Sequence, residues 1–174
     1  MSQTSRYVPS VVDQAEYRNA LGSFATGVTV VTTKAAGAPV GTTVSAFSAL
    51  SLTPPLVLVA LALKSETLAH IKRAGFFSVN ILSAGQDDIA TCFSKANGSA
   101  KFEGISHRDG QNGAPLIDGV AAAIECDLED SLAGGDHEIL VGLVRAASVD
   151  PNPVPLVYYR SAFAELTVGG LEVR

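Results

Sequence analysis

The chain of 174 residues is long enough for one domain that buries roughly two thirds of its unfolded surface. Its 12 basic residues face 17 acidic ones, a net charge of −5 with no basic cluster, which argues against nucleic acid or an anionic membrane as a partner. Only 17% of the residues are charged, against about 25% in average proteins, and this deficit predicts a homo-oligomer that buries additional surface.

Cysteine and histidine usage narrows the class of protein further. Cys92 and Cys126 lie far apart and form no Cys-x-x-Cys pattern, which favours a reduced, cytoplasmic protein. The three histidines have no spacing suited to joint ligation, so we predict no metal. The sequence has neither a run of about 18 apolar residues that could span a bilayer nor an apolar signal peptide, so we expect no membrane association. We treat residues 1–174 as a single domain with a core of about 13–168 and flexible termini.

The first part of the chain predicts a helix followed by a hairpin. Asp13 can cap a helix over residues 14–21, and Gly22 ends it. The apolar side chains around this helix fall on one face: Tyr17, Leu21 and Phe24. Residues 28–33 are β-branched throughout and predict a strand, and residues 36–39 supply a turn into the next segment.

That next segment, between Gly41 and Leu52, has unusual chemistry for a core strand. Hydroxyl groups recur among small apolar residues at Thr42, Thr43, Ser45, Ser48 and Ser51. An edge strand with one wet face would explain the pattern, since Ser and Thr are common on half-exposed strands. A cradle for a flat, heteroatom-rich ring such as a flavin would also explain it, because backbone amides and small hydroxyls can hydrogen-bond the ring edge.

Alternating elements continue through the middle of the chain. Residues 56–63 form a continuous apolar run, which predicts a strand buried on both faces. Ser65 can cap a helix that ends at Gly75, and the start of such a helix can bind an anion. Residues 76–82 predict another strand, and residues 86–93 predict a short helix.

The last part of the sequence is mainly β. Residues 104–119 predict a long surface loop with one short strand at 114–117. Further strands are predicted at 121–128, 139–144 and 156–160. Several strands at short spacing with three interrupting helices predict a mainly β fold, a closed or nearly closed barrel with helical decoration.

Four segments together resemble the short-chain flavin reductase family, the small components of two-component flavin-dependent monooxygenases: residues 24–32, 42–55, 77–82 and 133–137. The resemblance runs from about Tyr17 to Leu166, with the motifs in order. It implies a homodimeric FMN-binding split β-barrel that transfers hydride from NADH or NADPH to FMN or FAD. It also implies a separate oxygenase component that receives the reduced flavin.

The resemblance also implies which residues bind the flavin. Those expected at the isoalloxazine and ribityl chain are Thr43, Val44, Ser45, Ala46, Phe47, Ala49, Leu50 and Ser51. Lys64, Ser65 and Thr67 are expected near phosphate, where a helix N-terminus adjoins an ammonium group. Ser94 and Lys101, in a polar, loop-like segment, are weaker candidates for the outer phosphate or the adenosine end of FAD. An ordinary solvated lysine would equally explain Lys101.

His137 follows Gly134-Gly135-Asp136, a sequence that usually marks a turn with an exposed histidine. The family's Gly-Asp-His signature implies instead that this imidazole positions the nicotinamide, with Asp136 steadying the turn or the imidazole. No Gly-x-Gly-x-x-Gly fingerprint opens a helix after a strand, so a Rossmann nicotinamide site is not supported. The nicotinamide must then stack directly on the flavin, with hydride passing from C4 to N5.

Two other functions remain open at this point. One is a non-catalytic flavin-binding or redox-sensing protein. The other is a different oxidase on the same barrel, such as one acting on a phosphorylated pyridoxal precursor, which should gather several arginines around the substrate phosphate. The seven arginines of the chain do not cluster in sequence.

Overall fold

The computed structural model describes residues 12–95, 98–164 and 166. Within these ranges the helices α1 to α3 span Gln14–Gly22, Glu66–Ala74 and Asp87–Lys95, and a 3-10 helix spans Gly98–Phe102. The strands β1 to β12 span Thr26–Gly27, Thr29–Ala35, Ala38–Val44, Phe47–Leu52, Pro55–Ala62, Phe76–Ile81, His107–Asp109, Pro115–Ile117, Ala122–Gly134, His137–Val149, Val157–Tyr159 and Ala162–Ala164. The termini that we expect to be flexible lie largely outside the described residues. None of the described helices is long and apolar enough to cross a membrane.

Seven strands form the main sheet, in the order β3-β2-β6-β9-β10-β5-β4, and all neighbours are antiparallel. The two edge strands, β3 and β4, are consecutive in sequence and are joined only by Ser45 and Ala46. Three Cα–Cα steps span at most about 11 Å, so the two ends of the sheet must meet at this link. The sheet therefore curls into a shell, and the predicted mainly β fold with helical decoration is confirmed.

The inside of the shell is filled by a core cluster that includes Val44 of β3, Val57 and Val59 of β5, and Phe77 of β6. Helix α2 contributes Leu68 and Ile71 to the same cluster, so it plugs one end of the shell. A second cluster packs β2 against α3, the 3-10 helix and β8: Val28, Val30, Leu82, Ala90, Phe93, Phe102, Ile117 and Leu156. Both clusters lie next to β2 and β3, so the hydroxyl-rich segment rests on packed structure.

The expectation that residues 56–63 are buried on both faces is wrong. In β5 the side chains of Val57, Val59 and Leu61 are buried, whereas Leu56 and Leu58 on the opposite face are only half-buried. The strand lies in a wall one layer thick, so only one of its faces meets the core.

The expectation for residues 104–119 is only partly right: the predicted short strand at 114–117 is present as β8, but a second strand, β7, and the burial of β8 were not expected. Strands β7 and β8 pair with each other, and Pro115–Ile117 is buried. The Thr32 hydroxyl donates to the Pro115 carbonyl at 2.6 Å, and the Ile117 N–H donates to Asn80 Oδ1 at 2.8 Å. Thr32 and Asn80, two strand residues with no distinctive sequence signal, thus hold β8 against the barrel.

Helix α1 begins as predicted at Asp13, whose Oδ1 accepts from the N–H groups of Ala15 and Glu16. No residue of this helix is buried. Its predicted apolar face has the right spacing, yet Tyr17 and Leu21 are exposed, and so is Phe24 beyond the helix end. Nothing in the described part of the chain covers this face.

Gly142 in β10 provides a test of the packing. A Cβ atom at this position would lie 2.5 Å from Phe77 Cζ and 3.0 Å from Cys126 Cβ, closer than non-bonded atoms approach. We expect Gly142→Ala to lower the free energy of unfolding by about 1–3 kcal/mol through overpacking, as measured by urea denaturation.

The matched control is Gly134→Ala in the adjoining strand β9, where the new Cβ would meet its nearest neighbour at an ordinary 3.5 Å. We expect that change to stay within about 0.5 kcal/mol of the parent protein. Equal stability losses in the two variants would contradict the described packing around Phe77.

Candidate active site

An open groove lies where the shell is incomplete, between β3 and β5. One part, the β3–β5 cavity of about 220 Å³, is lined by residues 42–46, residues 60–62, Ser65 and His137. The other part, the α2 cavity of about 370 Å³, is lined by Val40, Gly41, Thr42, Ala62, residues 64–67, Ser94, Gly98 and Lys101. Both cavities share Thr42, Ala62 and Ser65, so they form one continuous groove.

One wall of the groove is the outer edge of β3, which pairs with none of the described strands. The Gly41 carbonyl points to this edge, because it accepts a hydrogen bond from Lys101 at 2.9 Å. Backbone groups of alternate residues in a strand point the same way, so the N–H groups of Gly41 and Thr43 also face outward. The groove therefore presents two backbone donors to whatever occupies it.

Lys101 sits at the far end of this wall and is only 7% exposed. Its Nζ donates to the carbonyls of Gly41 and Phe93, each at 2.9 Å, and one of its three N–H bonds remains available beside the α2 cavity. Burial lowers the pKa of Lys101 below its ordinary value, while Cys92 and Glu66 act in the opposite direction. The interpretation of Lys101 as an ordinary solvated lysine is wrong.

The start of α2 forms the opposite side of the α2 cavity. Ser65 caps the helix, its hydroxyl accepting from the Leu68 N–H at 3.5 Å, and Thr67 is buried in the first turn. Lys64 is exposed beside them, and Glu66 adds one carboxylate to the lining. The helix N-terminus and two ammonium groups give this end of the groove a positive character that suits an anionic ligand.

His137 reaches the groove from the turn between β9 and β10. Gly135 in this turn has φ 74°, the left-handed region that glycine adopts readily. The imidazole Nδ1 lies 2.7 Å from Asp136 Oδ1, and this hydrogen bond lowers the pKa of the Asp136 carboxyl. The Asp136 carbonyl accepts from the Leu63 N–H, which ties the turn to the chain leading into α2.

The structure brings most of the predicted site residues together. Those that line the groove are Thr43, Val44, Ser45, Ala46, Lys64, Ser65, Thr67, Ser94, Lys101 and His137. Phe47 lines an adjoining apolar cavity of about 340 Å³ that shares Ser45 with the groove. Ala49, Leu50 and Ser51 lie on β4, on the outer side of β5, and line none of these cavities.

Sequence reasoning missed several lining residues: Val40, Gly41, Ala60, Leu61, Ala62, Glu66 and Gly98. Most contribute backbone or small apolar surface, which carries no signal in a sequence. Gly41 is the exception, because a Cβ there would lie 3.0 Å from Phe93 Cε1 and 3.1 Å from the Val31 carbonyl oxygen. Only glycine lets β3 lie this close to α3.

Comparison with known proteins places the chain in a family. Residues 21–167 match the flavin reductase like domain. A probable flavin reductase of Rhizobium meliloti is 42% identical over 78% of the chain, which spans 44% of that protein's length. The flavin-dependent monooxygenase reductase subunit HsaB of Rhodococcus jostii is 39% identical, over 87% of this chain and 77% of that protein.

A solved structure agrees with this match. NADH:FAD oxidoreductase SgcE6 of Streptomyces globisporus, in complex with NAD and FAD fragments, superposes with a TM-score of 0.86 at 32% identity. The match covers 91% of this chain and 95% of that one. The fold and the sequence thus agree with the predicted resemblance, and the chain belongs to the flavin reductase like domain family.

Proposed function

We propose that the chain binds FMN or FAD in the groove, reduces it with NADH or NADPH, and supplies the reduced flavin to a separate oxygenase. The observation that carries this proposal is the unpaired outer edge of β3 running into a positively charged end at Lys101 and α2. A flavin has the same layout, since its ring carries hydrogen-bonding atoms along one edge and its tail ends in phosphate.

The groove residues fit such a ligand. Three donors can hydrogen-bond the ring edge: the N–H groups of Gly41 and Thr43 and the exposed Ser45 hydroxyl. The Thr43 hydroxyl is not available, because it donates to the Ala90 carbonyl at 2.6 Å. Lys101 can reach a phosphate with its remaining N–H, supported by the α2 N-terminus. When bound, the flavin supplies the redox chemistry, accepting a hydride from the nicotinamide. The protein need only hold the two rings face to face, a positioning task.

His137 is the residue that we assign to the nicotinamide. Its side chain is 44% exposed at the β3–β5 cavity, so the imidazole can meet a second ring that enters from solvent. Asp136 holds Nδ1, which leaves Nε2 directed away from that bond and available for the carboxamide or a phosphate of the dinucleotide. Asp136 thus acts as a positioning residue through His137.

No arginine lines the groove among the described residues, which weighs against an oxidase for a phosphorylated pyridoxal precursor. The name of HsaB, a reductase subunit of a flavin-dependent monooxygenase, supports a separate oxygenase partner for this chain. Release of the reduced flavin is compatible with a groove that is open to solvent. A cytoplasmic location and the absence of a metal remain predictions.

A homodimer is part of the proposal. Leu52 is 92% exposed and Phe24 is 75% exposed, and the apolar face of α1 is left uncovered by the residues that the structure describes. Exposed apolar surface of this extent is typical of protein interfaces.

Light scattering should give twice the chain mass, and a monomeric mass at micromolar concentration would remove this part of the proposal.

The reductase activity itself can be tested by a coupled absorbance assay. We expect the purified protein to accelerate the oxidation of NADH or NADPH when FMN or FAD is added, followed as loss of nicotinamide absorbance. The control is the same mixture without flavin. A protein that binds flavin yet never accelerates this oxidation would be a non-catalytic flavin-binding protein instead.

Ser45 tests where the flavin ring lies. The residue is exposed and borders both the β3–β5 cavity and the apolar cavity, so Ser45→Tyr should put a large ring into the groove. We expect flavin affinity to fall at least ten-fold, about 1.4 kcal/mol, in a fluorescence titration, with the melting temperature nearly unchanged.

The matched control is Ser48→Tyr, which adds the same ring at an exposed position of β4 that lines no cavity described above. Flavin affinity should stay at the parent value in this variant. If Ser45→Tyr also binds flavin with the parent affinity, the ring lies elsewhere.

His137 tests the assignment of the nicotinamide. We expect His137→Ala to raise the KM for NAD(P)H, or to slow flavin reduction in stopped flow, by roughly ten-fold, about 1.4 kcal/mol. Flavin affinity should stay near the parent value, because the imidazole meets the second ring. The control is His70→Ala on α2, a histidine that contacts Arg73 and lines neither groove cavity. If the His137→Ala protein reduces flavin as fast as the parent at limiting NADH, His137 is only a turn histidine.

A further inference from the structure

A separate cleft of about 360 Å³ lies between the end of α1 and the turn that joins β11 to β12. It is lined by Arg18, Asn19, Gly22, Ser23, Arg160 and Ser161. The two arginines are 142 positions apart in sequence, so sequence reasoning found no cluster. The fold nevertheless places both on one cleft, and none of the described residues that line it carries a carboxylate.

The turn holds Arg160 in an unusual conformation. Tyr159 pairs with Ala162, so Arg160 and Ser161 form a two-residue hairpin turn, with φ 47° and 63°. Turns of this kind favour Asn-Gly, because other side chains are strained at positive φ. The Arg160 guanidinium lies 5.2 Å from the centre of the Tyr159 ring, and its backbone N–H donates to the Gly22 carbonyl at 2.9 Å. The turn is thus anchored to the end of α1.

The side chains of Arg18 and Arg160 have no ion pair or hydrogen bond within the described part of the chain. The other arginines described there are engaged: Arg73 with His70, Arg108 with Asp118 and Arg145 with Asp127. The protein carries a net charge of −5, so the sequence has more carboxylates than are needed to pair every basic side chain. Two guanidinium groups that line one cleft, without a carboxylate partner among the described residues, favour an anion there.

The cleft lies next in the chain to the apolar cavity, although the two share no lining residue. Ser23 of the cleft is followed by Phe24, which lines the apolar cavity, and that cavity shares Ser45 with the groove. The cleft is therefore one residue along the chain from a cavity that borders the groove. The α2 end of the groove is assigned to the flavin phosphate. A second ligand that carries a phosphate would therefore place it away from α2, on the side of Arg18 and Arg160.

We propose that Arg18 and Arg160 bind a phosphate group of the nicotinamide dinucleotide, whose nicotinamide ring lies at the β3–β5 cavity. This inference rests on the proposed function, because it takes the second ligand to be NADH or NADPH. Guanidinium groups bind phosphate in a bidentate manner, which suits this pair. The phosphate is either the pyrophosphate common to both dinucleotides or the 2′-phosphate of NADPH alone.

The test is the double variant Arg18→Gln with Arg160→Gln, which removes both charges and keeps polar side chains. We expect its KM for the dinucleotide to rise about ten-fold or more, with kcat and flavin affinity near the parent values. A rise for both dinucleotides identifies the pyrophosphate, and a rise for NADPH alone identifies the 2′-phosphate. The matched control is Arg108→Gln with Arg145→Gln, which changes the net charge equally at paired arginines and should leave both KM values unchanged.

Calorimetric titration of the same proteins with NAD⁺ and NADP⁺ separates this inference from the proposed function. A parent protein that binds dinucleotide through the two arginines but never reduces flavin would keep the inference and overturn the reductase proposal. A parent protein that reduces flavin while the Arg18/Arg160 variant keeps its KM and affinity for both dinucleotides would overturn the inference alone. A weakened variant whose mass in light scattering has also fallen would assign the cleft to a subunit contact and overturn the inference too.

Discussion

The unpaired outer edge of β3 is the feature on which the site depends. A strand edge normally exposes its backbone groups to any other strand, and natural sheets cover or interrupt such edges. Here Lys101 covers part of it by donating to the Gly41 carbonyl, and α3 packs close because residue 41 is glycine. The neighbouring N–H groups remain accessible at the groove. A buried ammonium therefore ties this wall of the groove to α3 and places a positive charge at its end.

The position of this edge follows from the way the sheet curls. Because Ser45 and Ala46 join the two edge strands directly, the ends of the sheet meet there and stay apart further along β3. The opening between β3 and β5 is the groove. The turn carrying His137 arrives beside it, since His137 pairs with Ala62 at the end of β5. Residues distant in sequence thus meet because the shell does not close completely.

Much of this could be predicted from the sequence, and the failures have physical causes. Local signals located three elements: caps predicted the helices that begin after Asp13 and Ser65, and a β-branched run predicted β2. The burial of Lys101 and of β8 could not be predicted, since both depend on partners from distant strands. The hydroxyl-rich segment does line the groove, but the family resemblance also implied Ala49 to Ser51, which lie on β4 and line none of the cavities. The arginine cleft was missed because the fold alone brings its two cations together.

We propose that the free edge of β3 binds the flavin through its backbone. Hydrogen exchange of individual amides, followed by NMR with and without saturating FMN or FAD, measures this contact residue by residue. Flavin should slow exchange at Gly41 and Thr43, whose N–H groups face the groove, whereas exchange at Thr42, whose N–H faces β2, should change little. Protection confined to other parts of the chain, with Gly41 and Thr43 unaffected in the flavin-bound protein, would contradict it.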